Sequence, residues 1–284
     1  MTRFAICATI KNENMYLREW VDYHFSIGVD KIFLYNNGND YEENPNIVIQ
    51  DYINDGKIEV IKNDYYDTRP FQFKQTDAYN DCLEKNKLNF DWIVCIDVDE
   101  FISFDTYNTL QELFENTNYN NFDAVIFNMI VYADNTLYYK PELVQKRFPE
   151  KLKNEIPFWN ITMNQLVHTF IKPFTGIKFF DGNPHIPNMI GHSCCAANGG
   201  YFETNYLDSY ITATIHPIDH TLYSKHYYFK SFIEFLNRCT SAKITNPDTF
   251  NFKINQYKSS VEWTEEHEKV YMQFLKDNNI EVPE

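Results

Sequence analysis

Trp92-Ile93-Val94-Cys95-Ile96-Asp97-Val98-Asp99-Glu100 decides how this chain is read. Its first five residues form an unbroken apolar run, the pattern of a strand buried on both faces in mid-sheet. The run then breaks into three carboxylates and one valine. Working back from it, the sequence alternates short apolar runs with amphipathic helical stretches. Strands are expected at 4–10, 31–35 and 58–61, and helices at 15–27, 47–53 and 71–86. Asn14 stands where a helix N-cap belongs, and Gly28 and Gly56 where helices close. This β-α-β repetition predicts an α/β fold, a mostly parallel central sheet flanked by helices. After residue 100 the rhythm loosens. A helix at 110–116 and a strong strand at 124–132 precede irregular sequence to about 225, then helices at 231–242 and 261–278.

Composition excludes several classes. The 284 residues are 44% hydrophobic and 17% aromatic, with 21 Tyr and 24 Phe, so neither disorder nor collagen-like repetition applies. Such aromatics mainly fill cores; Tyr35 and Phe101 stand out because they adjoin polar clusters. A length of 284 fits two domains of about 150 residues or one larger domain with a tail. Twenty-five Lys and Arg against 40 Asp and Glu give a net charge of −15, which repels phosphate backbones and argues against nucleic acid as a partner. No apolar run reaches the roughly 18 residues of a membrane span, and the opening reads as a strand instead of a cleavable signal. A cytoplasmic protein is expected. The six cysteines lack zinc-site spacing and are expected to be reduced, with Cys194-Cys195 in a buried turn near Gly199-Gly200. His216 and His220 flank Pro217, which disfavours a helical metal pair, and are read as structural.

In an extended chain Asp97 and Asp99 face one side while Val98 returns to the core. Two close carboxylates are costly without a compensating cation. Oxygen ligands without His or Cys suit Mg²⁺ or Mn²⁺, whose open positions phosphates can fill, so a nucleotide diphosphate fits the site. The alternative is two aspartates capping a turn. Three polar clusters follow expected strand ends: Lys11-Asn12-Glu13, Tyr35-Asn36-Asn37 and the acidic run. If the strands are parallel, all three meet at the carboxyl edge, where α/β sheets bind ligands.

Together, Ala8-Thr9-Ile10-Lys11-Asn12-Glu13, the segment from Leu17 to His24 and the segment from Gly28 to Asn37 resemble the start of family 2-like and family 92 glycosyltransferases. The acidic segment is similar to their metal-binding Asp-x-Asp, and Lys225-His226-Tyr227-Tyr228 with Lys230-Ser231 to their C-terminal His-Tyr block. The resemblance, over about residues 4–240, implies a GT-A fold. It divides the chain into a domain at 1–240, with a nucleotide-binding half (1–105) and an acceptor half (106–240), and a helical extension at 241–284. Carried over, Asp97 and Asp99 hold Mn²⁺ or Mg²⁺, and Lys11, Glu13, Tyr35 and Asn37 lie near the nucleotide. His226 either completes the metal shell or is a structural histidine.

The implied reaction moves a sugar from a nucleotide sugar, UDP-galactose by resemblance to family 92, to a glycan or lipid-linked glycan hydroxyl with inversion. A peripheral association with a membrane is compatible with such an acceptor. Asp134, Asp181 and His185 are the candidate bases, because they lie where acceptor loops should fold over the sheet edge. Each also reads as a surface turn, and no Glu-Asp pair of the family 2 kind is evident. A nucleotidyltransferase would need a glycine-rich loop after the first strand, which Lys11-Asn12-Glu13-Asn14 does not provide. A non-catalytic carbohydrate-binding or scaffold protein and a metal-dependent phosphodiesterase are the other rivals.

Overall fold

The computed structural model describes residues 1–38, 43–63, 68–133, 136–153, 156–158, 161–185, 187–200, 219–241, 247–278 and 280. In chain order the elements begin with β1 (Phe4–Ile10), α1 (Asn14–Ser26), β2 (Lys31–Asn36), α2 (Asn46–Asn54) and β3 (Ile58–Lys62). There follow α3 (Phe71–Lys85), β4 (Trp92–Cys95), β5 (Glu100–Ser103), α4 (Leu110–Glu115), β6 (Ala124–Val131) and α5 (Val144–Arg147). The remainder is β7 (Pro157–Phe158), β8 (Ile161–Thr162), β9 (Val167–Ile171), β10 (Cys194–Ala196), β11 (Tyr223–His226), α6 (Phe232–Ser241), α7 (Pro247–Ser260) and α8 (Glu265–Asp277). Two compact units result, each from two stretches: Met1–Met129 with Gln165–Lys225, and Ile130–Asn164 with His226–Glu284.

The first unit is built on a sheet ordered, among the described residues, β3-β2-β1-β4-β9-β6-β11-β5, with β10 beside β6. Strands β3, β2, β1 and β4 are mutually parallel, while β9 runs antiparallel to β4 and β6. Four parallel strands with helices between them bear out the expected α/β class. All seven residues of β1 and all four of β4 are buried, which is why both read as unbroken apolar runs. Alternation sorts the two faces. Ala5 and Cys7 pack with Ala78, Tyr79, Cys82 and Leu83 of α3, while the Phe4 ring meets Phe114 of α4 at 4.8 Å. The chain lays β2 and β3 to one side of β1, then returns to place β4 on the other. Strand order therefore reverses between β1 and β4.

Helix α1 ends as the sequence predicts. Gly28 has φ +100°, its N–H bonds Phe25 O, and Val29 N–H bonds His24 O, the paired pattern of a Schellman close. Its start differs from expectation. Asn14 is the first helical residue and caps nothing, because Glu43 Oε2 accepts the Asn14 N–H at 2.9 Å and the Asn14 amide donates to Asn44 O. On the inner face, His24 donates from Nδ1 to Trp20 O (2.8 Å) and accepts the Ile102 N–H at Nε2 (3.3 Å). Burial pushes its pKa down to about 3. The folded value lies below the unfolded one, so the neutral form is the stabilised one, and stability is lost as pH falls through about 6.5. Between pH 7.5 and 5.5 the loss should be about 1.4 kcal/mol. Urea midpoints at the two pH values check this, and His24→Gln should remove that part of the slope.

In the second unit aromatics fill the core. Tyr257 lies 4.8 Å from both the Phe229 and Phe232 rings and 5.2 Å from Phe235. Here the helix expected at 261–278 is present as α8, and a further helix that was not expected, α7, precedes it. α7, with Pro247 in its first turn, buries Phe250, Ile254 and Tyr257 at helical spacing. α8 starts only at Glu265, because Thr264 and His267 form a reciprocal capping box and three glutamates occupy its first turn. All six cysteines are free and buried. Cys194 and Cys195 occupy a strand, not the expected turn, pairing in parallel with Ala124 and Val125. Among the described residues no helix is long and apolar enough to cross a membrane.

Candidate active site

The parallel register puts Ile10 beside Asn36 and Asn36 beside Lys62, so the residues that follow share one edge. Asn37 N–H bonds Ile10 O, Asn63 N–H bonds Asn36 O, and the Asn63 side-chain amide donates to Asn37 Oδ1 at 2.6 Å. The Asn37 Nδ2 is buried and has no hydrogen-bond partner among the described residues. Lys11 is exposed, Glu13 half-buried, and between them Asn12 takes a left-handed φ of 56°. Tyr35 belongs to the α3-facing core, where its hydroxyl donates to Asp81 Oδ2 at 2.7 Å and burial raises its pKa. Phe101 is buried against Tyr23 and His24.

Beside this edge, β4 ends at Cys95 and the chain turns. Glu100 N–H bonds Asp97 O at 3.1 Å, closing a four-residue turn with Val98 and Asp99 at its centre. The extended geometry expected for Asp97 and Asp99 is therefore not the one adopted, although Val98 does return to the interior. Asp99 is 4% exposed, and Asp97, half-buried, accepts a 2.7 Å hydrogen bond from Gln75 Nε2 of α3. Gln75 also donates to the Tyr79 hydroxyl, whose pKa is raised well above normal by burial and then by the nearby Asp97 charge.

Glu100 is completely buried. Its carbonyl accepts the Trp20 indole N–H at 2.7 Å, and its Oε2 lies 2.6 Å from His168 Nε2 on β9 and 3.4 Å from the Asp97 amide nitrogen. His168 Nδ1 faces the Cys95 carbonyl at 3.1 Å. A carbonyl only accepts, so Nδ1 carries hydrogen, and Nε2 is the nitrogen turned to the carboxylate.

Of the candidate bases, Asp134 lies outside the described residues. Asp181 is exposed, in a loop fixed to α3 by the bond from Gly182 N–H to Thr76 Oγ1. Gly182 has φ +76°, and a Cβ there would come within 3.2 Å of the Phe73 ring. His185 ends that loop with its ring 5.9 Å from the His168 ring. His226 belongs to the second unit, where its carbonyl accepts the Tyr132 N–H at 2.9 Å and its ring meets Tyr228 edge-on. His220 Nδ1 lies 3.3 Å from Asp105, while His216 and Pro217 are outside the described residues. Among the described residues no three His, Cys, Asp or Glu side chains converge to hold a metal by themselves. Asn63, Gln75 and His168 were not among the residues expected at the site. Only the apolar residues around His168-Thr169 could have signalled a strand there.

The family model described as Glycosyltransferase family 92 matches residues 2–175, more than half of the chain. The chain belongs to that family. Similar family 92 proteins include one of Oryza sativa subsp. japonica, 30% identical over 119 residues, covering 39% of this chain and 18% of that protein. One of Ricinus communis is 32% identical over 112 residues, covering 39% and 19%. One of Arabidopsis thaliana is 29% identical over 133 residues, covering 43% and 21%. The matched stretch thus spans about a fifth of the length of these relatives. Among solved structures, S. aureus TarS residues 1–349 gives a TM-score of 0.41 at 10% identity, covering 97% of this chain and 80% of that one. The same TarS fragment in complex with UDP-GlcNAc gives 0.40 at 11% identity, covering 99% and 82%.

Proposed function

We propose that this chain transfers a hexosyl unit, galactose from UDP in the first instance, to a glycan hydroxyl. One observation carries the reading: in a family 92 chain, an acidic turn follows β4 at the point where strand order reverses. Open α/β sheets bind ligands in the crevice at such a reversal. The donor set fits a hard divalent ion, since Asp97 and Asp99 offer only oxygen and leave positions for phosphate oxygens and water. Bound there, Mn²⁺ or Mg²⁺ would stabilise negative charge on the departing nucleoside diphosphate.

The chain's own residues do the rest. Lys11, at the end of β1, supplies positive charge toward the phosphates. The buried Asn37 amide, held by Asn63, carries a donor that a nucleoside acceptor atom would satisfy, removing a penalty of about 1–3 kcal/mol. Gln75 fixes the rotamer of Asp97. For the acceptor proton we favour His185, supported by its ring contact with His168, over the exposed Asp181. A base on the face opposite the leaving group gives inversion.

The test is a donor screen read as released nucleoside diphosphate. The expected result is Mn²⁺-dependent release from a UDP-sugar only when a glycan acceptor is added, with a higher melting temperature when Mn²⁺ and UDP are present together. Release without acceptor would favour a hydrolase, and no response to any nucleotide sugar would favour a scaffold.

A further inference from the structure

We propose that Glu100 and His168 act as a pair of positioning residues that set the acidic turn for its ion, and that neither contacts ion nor substrate. The proposal rests on the reading of Asp97 and Asp99 given above and adds two residues to it. The contacts form a closed ring. His168 reaches from β9 to the last carbonyl of β4 with one nitrogen and to Glu100 with the other, and Glu100 Oε2 faces the backbone nitrogen of Asp97. The same glutamate donates its N–H to Asp97 O and accepts from Trp20 at its carbonyl. The turn that presents Asp97 and Asp99 is thus tied at its start to β4, at its end to α1, and across its mouth to β9.

Stability alone gives no reason for this arrangement. A buried carboxylate and imidazole are no better for stability than well-packed hydrophobic residues of the same volume. What they provide is direction. Polar contacts from the pair to the Cys95 carbonyl and the Asp97 nitrogen fix where the turn's backbone lies, and apolar packing, which has no preferred direction, could not do so. Outer groups that orient metal ligands typically contribute about 10–100-fold in metal affinity.

The experiment titrates Mn²⁺ in the presence of UDP and follows free Mn²⁺ by electron paramagnetic resonance, so that no turnover is needed. Glu100→Gln and His168→Gln should each weaken Mn²⁺ binding about 10–100-fold. The double variant should be no weaker than the worse single one, because both break the same ring. His24→Gln is the control: it removes another buried histidine of the same unit and should lower stability while leaving Mn²⁺ affinity unchanged. Should Glu100→Gln fail to fold, His168→Asn keeps a donor for Cys95 but cannot reach Glu100, and decides the matter by the same readout. Wild-type affinity in these variants, or a loss that merely tracks melting temperature as in His24→Gln, overturns the role of the pair alone. A wild-type protein that does not bind Mn²⁺ with UDP, or whose binding survives Asp97→Asn and Asp99→Asn, overturns the ion reading and this proposal with it.

Discussion

Asp97→Asn and Asp99→Asn should each reduce sugar transfer about 10³-fold, as expected when several kcal/mol of charge stabilisation on a leaving diphosphate is lost. Asparagine keeps the shape and removes the charge that a divalent ion needs. The ion-free protein should tolerate the change. In the first variant the new amide oxygen can still accept the Gln75 hydrogen bond, and in the second a neutral group stands where a buried carboxylate stood. Initial rates with saturating UDP-sugar, paired with melting curves in chelator, separate the two effects. Rates within tenfold of wild type would refute the assignment. A melting temperature that collapses in chelator would show instead that the aspartates serve the fold.

The largest stability effect is expected in the second unit. Arg147 and Glu234 form a bidentate pair with side chains only 2% and 9% exposed. Arg147 Nη1 donates to Glu234 Oε1 at 3.0 Å, and its guanidinium lies over the Phe148 and Tyr139 rings. Removing one partner strands the other charge in the interior. Arg147→Ala should therefore cost about 3–5 kcal/mol, whereas replacing both with hydrophobic residues of similar volume should cost little or even stabilise. Urea denaturation of the single and double variants provides the comparison. A single-variant loss under about 1 kcal/mol would mean that water reaches the stranded glutamate.

The first hundred residues were legible for a physical reason. Parallel strands buried on both faces write themselves as continuous apolar runs, and Gly28 marks a left-handed helix close that few other residues accept. Convergence of Lys11, Asn37 and Asp97 on one edge followed from parallel pairing alone. What escaped was set by distant partners. β9 went unread because His168 and Thr169 interrupt its apolar pattern, though both are buried in the sheet. The Glu100–His168 contact depends on that strand and has no local trace. The start of α1 is fixed by Glu43 from another segment, so Asn14 looked like a cap it is not. The geometry of Asp97 and Asp99 was misjudged because alternation holds only while a strand continues, and here it stops at Cys95. α7 was the avoidable miss, since Pro247 followed by Phe250, Ile254 and Tyr257 is a helix start with an apolar stripe.

The place of β9 in the sheet also bears on how the chain is made. A ribosome releases residues in order, so β4 and β6 emerge well before Val167–Ile171, the strand that lies between them. Until it arrives, two apolar ribbons present bare backbone edges to every neighbouring nascent chain. Synthesis of this protein therefore passes through an interval of high aggregation risk, and products that end short of residue 165 should be found with chaperones or in inclusion bodies.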